Sequence, residues 1–158
     1  MEQRLNLMEN AQGAISAMLG LSGYLAKSSL DKNLLQLLEF RVSQINGCAY
    51  CLDMHSKDLR AAGETEQRIY LLAAWRESPF YSERERVALE WAECLTTLNE
   101  NGVSDEVYER AKKQFSETEL IDLTLAVVAI NGWNRLNIAF RTEPGSYQPG
   151  QFTASQKA

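Results

Sequence analysis

The sequence is poor in the residues that announce most functions. It holds one histidine, three cysteines and three prolines in 158 residues, and its lysines and arginines never gather into a run. The 16 basic and 21 acidic side chains leave a formal charge of -5. That balance argues against nucleic acid or an anionic membrane as partner, since both demand clustered Lys and Arg. Long apolar runs are also missing. The N-terminus, Met1 to Asn6, lacks the apolar core of a signal peptide, and the longest apolar stretch, Leu123 to Ile130, is too short to span a bilayer. These absences point to a cytoplasmic protein. No second CxxC and no HxxxH exists to complete a four-ligand zinc site. An odd cysteine count with a CxxC inside it suits a reducing compartment and a catalytic dithiol better than a secreted disulfide framework.

What is present is helical. The composition, 45% apolar and 23% charged, is that of an ordinary globular chain long enough for one domain over residues 1–158. Apolar positions recur at helical spacing, and Pro79, Pro144 and Pro149 lie outside the periodic segments. The fold class expected is all-α, a single-domain bundle of about six to seven helices. The first, about Asn10 to Lys27, buries Ile15, Met18, Leu19 and Leu25, with Gly13, Gly20 and Gly23 allowing a neighbour to approach closely. Asp31 caps a second helix to about Ile45, and Asn46-Gly47 ends it. A third starts around Cys48 and stops near Gly63. A short helix, about Glu66 to Trp75, precedes a Pro79 loop. Ser82 and Ser116 each open a capping box, the first for a helix to about Asn99 closed by Asn101-Gly102. Ser104-Asp105-Glu106 starts another short helix between them. The helix after Ser116, Leu120 to about Phe140, has hardly any polar face and must be central or buried against another subunit. Residues 142–158 form a C-terminal arm in which Tyr147 and Phe152 are placed to dock on a neighbour, its first half ordered and its end not.

The chemistry concentrates in Asn46-Gly47-Cys48-Ala49-Tyr50-Cys51-Leu52-Asp53-Met54-His55. At about 100° per residue, Cys48, Cys51 and His55 fall within an arc of roughly 60° on one helix face. Thiolate is the reactive form of cysteine, and a helix N-terminus and an imidazole at i+4 both favour it at Cys51. Cys48, one turn earlier, is placed to resolve. Attack on a peroxide oxygen gives a sulfenic acid, and condensation with the second thiol gives a disulfide that an external dithiol reduces. A relay behind His55 needs a carboxylate. The second helix offers Gln36 and Glu39 one turn apart, of which only Glu39 accepts a proton. An inert buried pair of cysteines and a non-enzymatic redox sensor are the competing readings. Cys94 falls on the buried stripe of its helix and reads as a core residue. Asn131, Asn134, Arg135 and Asn137, with Trp133, read as a solvated or hydrogen-bonded helix end.

The segment from Val42 to Cys51, with His55, resembles the core of the AhpD-like alkylhydroperoxidases within the carboxymuconolactone decarboxylase superfamily. A looser similarity runs from about Ala14 to Pro149. The resemblance implies an all-helical trimer or hexamer that reduces hydroperoxides in antioxidant defence, without a metal or organic cofactor. It makes Cys51 the peroxidatic thiol, Cys48 the resolving thiol and His55 the proton relay. It also implies a dithiol reductant, which in those relatives is a lipoyl-bearing protein. Two positions depart from the pattern. Gln36 stands where the family carries the relay glutamate, so Glu39 or water takes that step or the activity is weaker. Tyr50 stands where the well-studied peroxidase has a histidine. Lactone decarboxylation belongs to superfamily members without the CxxC pair and is disfavoured here.

Overall fold

Capping chemistry decides where most of these helices begin. In the computed structural model, which describes residues 2–100 and 102–152, the Asp31 side chain accepts the Leu34 N–H at 2.9 Å and opens α3, Lys32–Asn46. Ser82 and Ser116 form complete capping boxes with Glu85 and Glu119, and open α6, Glu83–Thr96, and α8, Glu117–Phe140. Ser104 caps α7, Asp105–Gln114, and Thr65 caps α5, Glu66–Leu71. Each cap satisfies an amide that the first turn leaves without an intrahelical partner. The remaining helices are α1, Leu7–Asn10, α2, Gln12–Leu25, and α4, Ala49–Ala61. Among the described residues there are thus eight α-helices and no strand, one more helix than the periodicity predicts, because α1 is a single turn of four residues. Met1, the Asn101 of the expected stop and residues 153–158 of the expected arm lie outside the described residues.

The bundle is assembled around α3 and α8. The α3 helix packs against α4, α6 and α8, and α8 touches α2, α3, α4, α6 and α7. Leu34, Leu35, Leu38 and Val42 of α3 join Val87, Ala88, Leu123, Ala126, Val127 and Ile130 in one core. Leu37 and Phe40, on the other side of α3, join Leu59, Ile69, Leu72, Trp75 and Leu89 in a second. Two apolar faces on one helix leave a narrow polar edge, and Gln36, Glu39 and Ser43 occupy it.

Two expectations about α2 need correction. Ile15 and Leu25 are buried, but Met18 and Leu19 are only half-buried. A side chain at Gly13, Gly20 or Gly23 would meet nothing within 4 Å, so these glycines face open space rather than a neighbouring helix. The close approach occurs at Gly132 of α8, where an added Cβ would sit 2.9 Å from the Met18 methyl group. The arm also differs in what it docks on. Residues 142–152 lie along α4 of their own chain, where Lys57 bonds Asp53 and the carbonyls of Gly145 and Tyr147, and the Tyr147 hydroxyl donates to Asp58. Phe152 stacks on Tyr147 with ring centroids 5.6 Å apart. No helix among the described residues is long and apolar enough to cross a membrane.

Candidate active site

The site is the corner between α3 and α4. Gly47 takes φ 68° and ψ 34°, a left-handed conformation that costs glycine nothing and would strain a residue with a Cβ. This turn lets α4 start with only Gly47 and Cys48 between it and the end of α3. Cys48 precedes the first helical residue as N-cap, and its sulfur accepts the Cys51 N–H at 3.4 Å. One turn of helix returns Cys51 to Cys48 with Cα atoms 5.3 Å apart, and the two are joined as a disulfide. Both residues are 1% exposed. Cys51 is the third residue of α4 and so lies in its first turn, while the free amide of that turn that reaches a sulfur is directed at Cys48.

His55 lies one turn beyond Cys51 on the buried face of α4. Its Nδ1 is 3.6 Å from Glu39 Oε2, so the acid of α3 expected behind the imidazole is there. Burial pulls the His55 imidazolium down to about 4. Burial first, and then the charge of Asp58, push the Glu39 carboxyl up to about 7. The Glu39 side chain keeps 28% of its surface open, which limits how far burial can push it and gives it a route for proton exchange with water. Near neutral pH the imidazole is therefore uncharged and the carboxyl close to its midpoint. His55 Nε2 and Gln36 Oε1 are buried without a hydrogen-bond partner among the described residues. An Nε2 lone pair with no competing donor is a proton acceptor in waiting.

The floor of the corner was not legible beforehand. The end of α8 read as a solvated or hydrogen-bonded helix end, and the structure supports only the second half of that reading. Asn134 is fully buried and Asn137 is 8% exposed. Asn134 donates to Ser43 Oγ at 3.0 Å and accepts from Asn46 Nδ2 at 2.9 Å, and Asn46 Nδ2 also reaches Asn131 Oδ1 at 2.9 Å. The Ser43 hydroxyl donates to the Glu39 carbonyl at 2.8 Å. Asn137 Nδ2 lies 3.6 Å from Cys51 Sγ. Three asparagines at a spacing of three thus hold the α3–α4 corner from below, and that spacing was the one available signal. Arg135 donates to the carbonyl and side chain of Asn131 and is spent on that residue. Cys94 is a half-buried free thiol rather than a core residue. Among the described residues no three His, Cys, Asp or Glu side chains converge so as to hold a metal ion.

The chain is similar to known proteins in both sequence and fold. The profile of the carboxymuconolactone decarboxylase family matches residues 11–93. The uncharacterised protein YdfG of Bacillus subtilis is 42% identical over 146 residues, which is 92% of this chain and 99% of that one. The alkyl hydroperoxide reductase AhpD of Mycobacteroides abscessus is 48% identical over 40 residues, 25% of this chain and 23% of that protein. Among solved structures, ATU0492 of Agrobacterium tumefaciens superposes with a TM-score of 0.88 at 38% identity, covering 92% of this chain and 100% of that one. It is a protein of unknown function provisionally assigned to antioxidant defence as an AhpD.

Proposed function

We propose that this chain, which belongs to the carboxymuconolactone decarboxylase family as an AhpD-like member, reduces hydroperoxides through a Cys48–Cys51 dithiol cycle. The observation that carries the reading is the dithiol backed by a carboxyl–imidazole pair, the half-buried Glu39 and the buried His55, with His55 Nε2 left without a partner among the described residues. His55 takes the Cys51 thiol proton, and the proton returns to the alkoxide leaving group. The Cys51 thiolate attacks the terminal peroxide oxygen, so that the O–O bond breaks, the alcohol leaves and Cys51 becomes a sulfenic acid. The Cys48 thiolate, favoured by the amide at the N-cap, then attacks the Cys51 sulfur. The departing hydroxide takes up the proton that Cys48 lost and leaves as water, and the disulfide forms. An external dithiol, of the lipoyl-bearing kind the family resemblance implies, takes up the oxidation and restores both thiols. Glu39 stands in for the acid that Gln36 cannot supply, and its open edge lets the proton exchange with solvent. Ile121, Val128 and Ile138 remain exposed along α8, which supports a homo-oligomer, a trimer or hexamer.

The test is hydroperoxide consumption driven by dihydrolipoamide. Turnover should drop by more than about a thousandfold in Cys51→Ser, and equal rates for this variant and wild type would sink the assignment. A second reading, a redox-sensing dithiol without turnover, is favoured by the 1% exposure of both cysteines. It predicts stoichiometric oxidation of the dithiol and no catalytic cycle under the same conditions.

A further inference from the structure

We infer that Asn137 is a catalytic hydrogen-bond donor whose carboxamide N–H holds the Cys51 thiolate and so helps decide which of the two thiols attacks. The inference rests on the reading of Cys51 as the attacking thiol, but its geometry is independent of any substrate.

Asn137 Nδ2 lies 2.9 Å from the Trp133 carbonyl and 3.6 Å from Cys51 Sγ. A carboxamide presents two N–H donors on nitrogen and only lone pairs on oxygen. Exchanging the two atoms would set Oδ1 against the Trp133 carbonyl, acceptor against acceptor. The helix's own backbone therefore dictates that nitrogen faces the sulfur, with one N–H on the carbonyl and the second left for Cys51. Cys51 and Asn137 are both buried, so the donor works in a low dielectric, where a hydrogen bond to a charged acceptor is worth most.

The charge around the pair makes this donor important. Besides Cys51, the titratable residues of α4 are Tyr50, Asp53, His55, Lys57, Asp58 and Arg60, of which Lys57 is bound to Asp53 and the arm, and α3 adds Glu39 against His55; on α8 the exposed Arg135 is turned to Asn131. No hydrogen bond or ion pair among the described residues brings a lysine or arginine to either sulfur. Apart from His55, which takes the proton, a thiolate here is held by neutral dipoles, and the two cysteines draw on different ones. Cys48 takes the backbone N–H at the N-cap of α4, and Cys51 takes a side chain from α8. Resolving and attacking thiols are thus tuned by separate groups, and a substitution at position 137 addresses one without the other.

The experiment measures the ionisation midpoint of each thiol in the reduced protein, by the pH dependence of iodoacetamide alkylation, with Cys51 read in a Cys48→Ser background and Cys48 in a Cys51→Ser background. Asn137→Leu, of similar volume and without the donor, should raise the Cys51 midpoint by about one to two units and leave Cys48 where it was. A purely structural role lowers the melting temperature without moving the midpoint. An unchanged Cys51 midpoint in folded Asn137→Leu overturns the inference, as does an equal shift of both thiols. If that variant does not fold, Asn137→Asp keeps the shape and must raise the midpoint further by adding like charge. In the wild type, the Asn137 carboxamide proton resonance must titrate with Cys51, and a flat titration overturns the inference without any variant. Hydroperoxide turnover is measured in parallel. Loss of turnover in a wild type with a normal response at Asn137 sinks the peroxidase reading alone, and turnover with an unmoved midpoint sinks the Asn137 assignment alone.

Discussion

From Leu120 to Ile130 the α8 helix buries Leu123, Ala126, Val127 and Ile130, and from Asn131 to Phe140 it buries Asn134 and Asn137. The two halves have the same backbone and the same neighbour, α3, but they buy different things. The apolar half gains stability from area removed from water, which is roughly additive and indifferent to exact geometry. The polar half gains little net energy per hydrogen bond, because water would have made those bonds too. What it gains is position. An amide buried without its partner is costly, so Asn134 and Asn137 tolerate only the arrangement in which the α3–α4 corner sits where it does.

The comparison can be broken at either end. Leu123→Ala in the apolar half should cost about 2 to 5 kcal/mol by chemical denaturation while leaving the Cys51 ionisation midpoint alone; a shifted midpoint would mean that the halves are not independent. In the polar half, Asn134→Leu leaves Ser43 and Asn46 each short of a partner and should cost about 1 to 3 kcal/mol. It should also loosen the corner, seen as faster reduction of the Cys48–Cys51 disulfide by dithiothreitol, and a variant as stable and as slowly reduced as wild type would contradict the clamp.

A subtler probe is pH. Glu39 sits at about 7 in the folded protein against 4.5 for the free side chain, so the folded state holds the extra proton across that window and Glu39 takes stability away as pH rises through it. His55, at about 4 against 6.5, does the opposite, and its contribution is lost as pH falls through the same range. The two oppose each other. Glu39→Gln should expose the His55 slope and melt progressively higher than wild type from about pH 5 to about pH 8, by an amount on the order of 2 kcal/mol at the upper end. An advantage that does not change with pH would show that the carboxyl is not desolvated. Smallest of all, Ser116→Ala at the apolar end removes one cap and should cost about 1 kcal/mol, with no effect on either thiol.

How far these features could be read beforehand follows the range of the interactions. Asp31, Ser82, Ser104 and Ser116 were legible as helix starts because a cap bonds an amide three residues away. Gly47 was legible as a helix stop for the same reason. Gly13, Gly20 and Gly23 misled, because a glycine permits close approach without summoning a neighbour, and the neighbour came to Gly132 instead. Cys94 misled because helical periodicity marks a stripe but not where the stripe runs out of partners. The arm's Tyr147 found Asp58 of its own chain, a contact 89 residues apart that no local pattern encodes.

By itself the sequence determined the all-α class, the two-residue corner between α3 and α4, and the dithiol with His55 on one face. All of these follow from helical spacing and capping within about a dozen residues. Only the tertiary structure decided that Asn134 reaches Ser43 and Asn46 and that Asn137 comes up beneath Cys51. Those depend on the angle and depth at which α8 crosses the corner. That crossing is set by the leucines of α3 and the small residues of α8 packing together, and side-chain volume summed over two helices is not written at any one position of the chain.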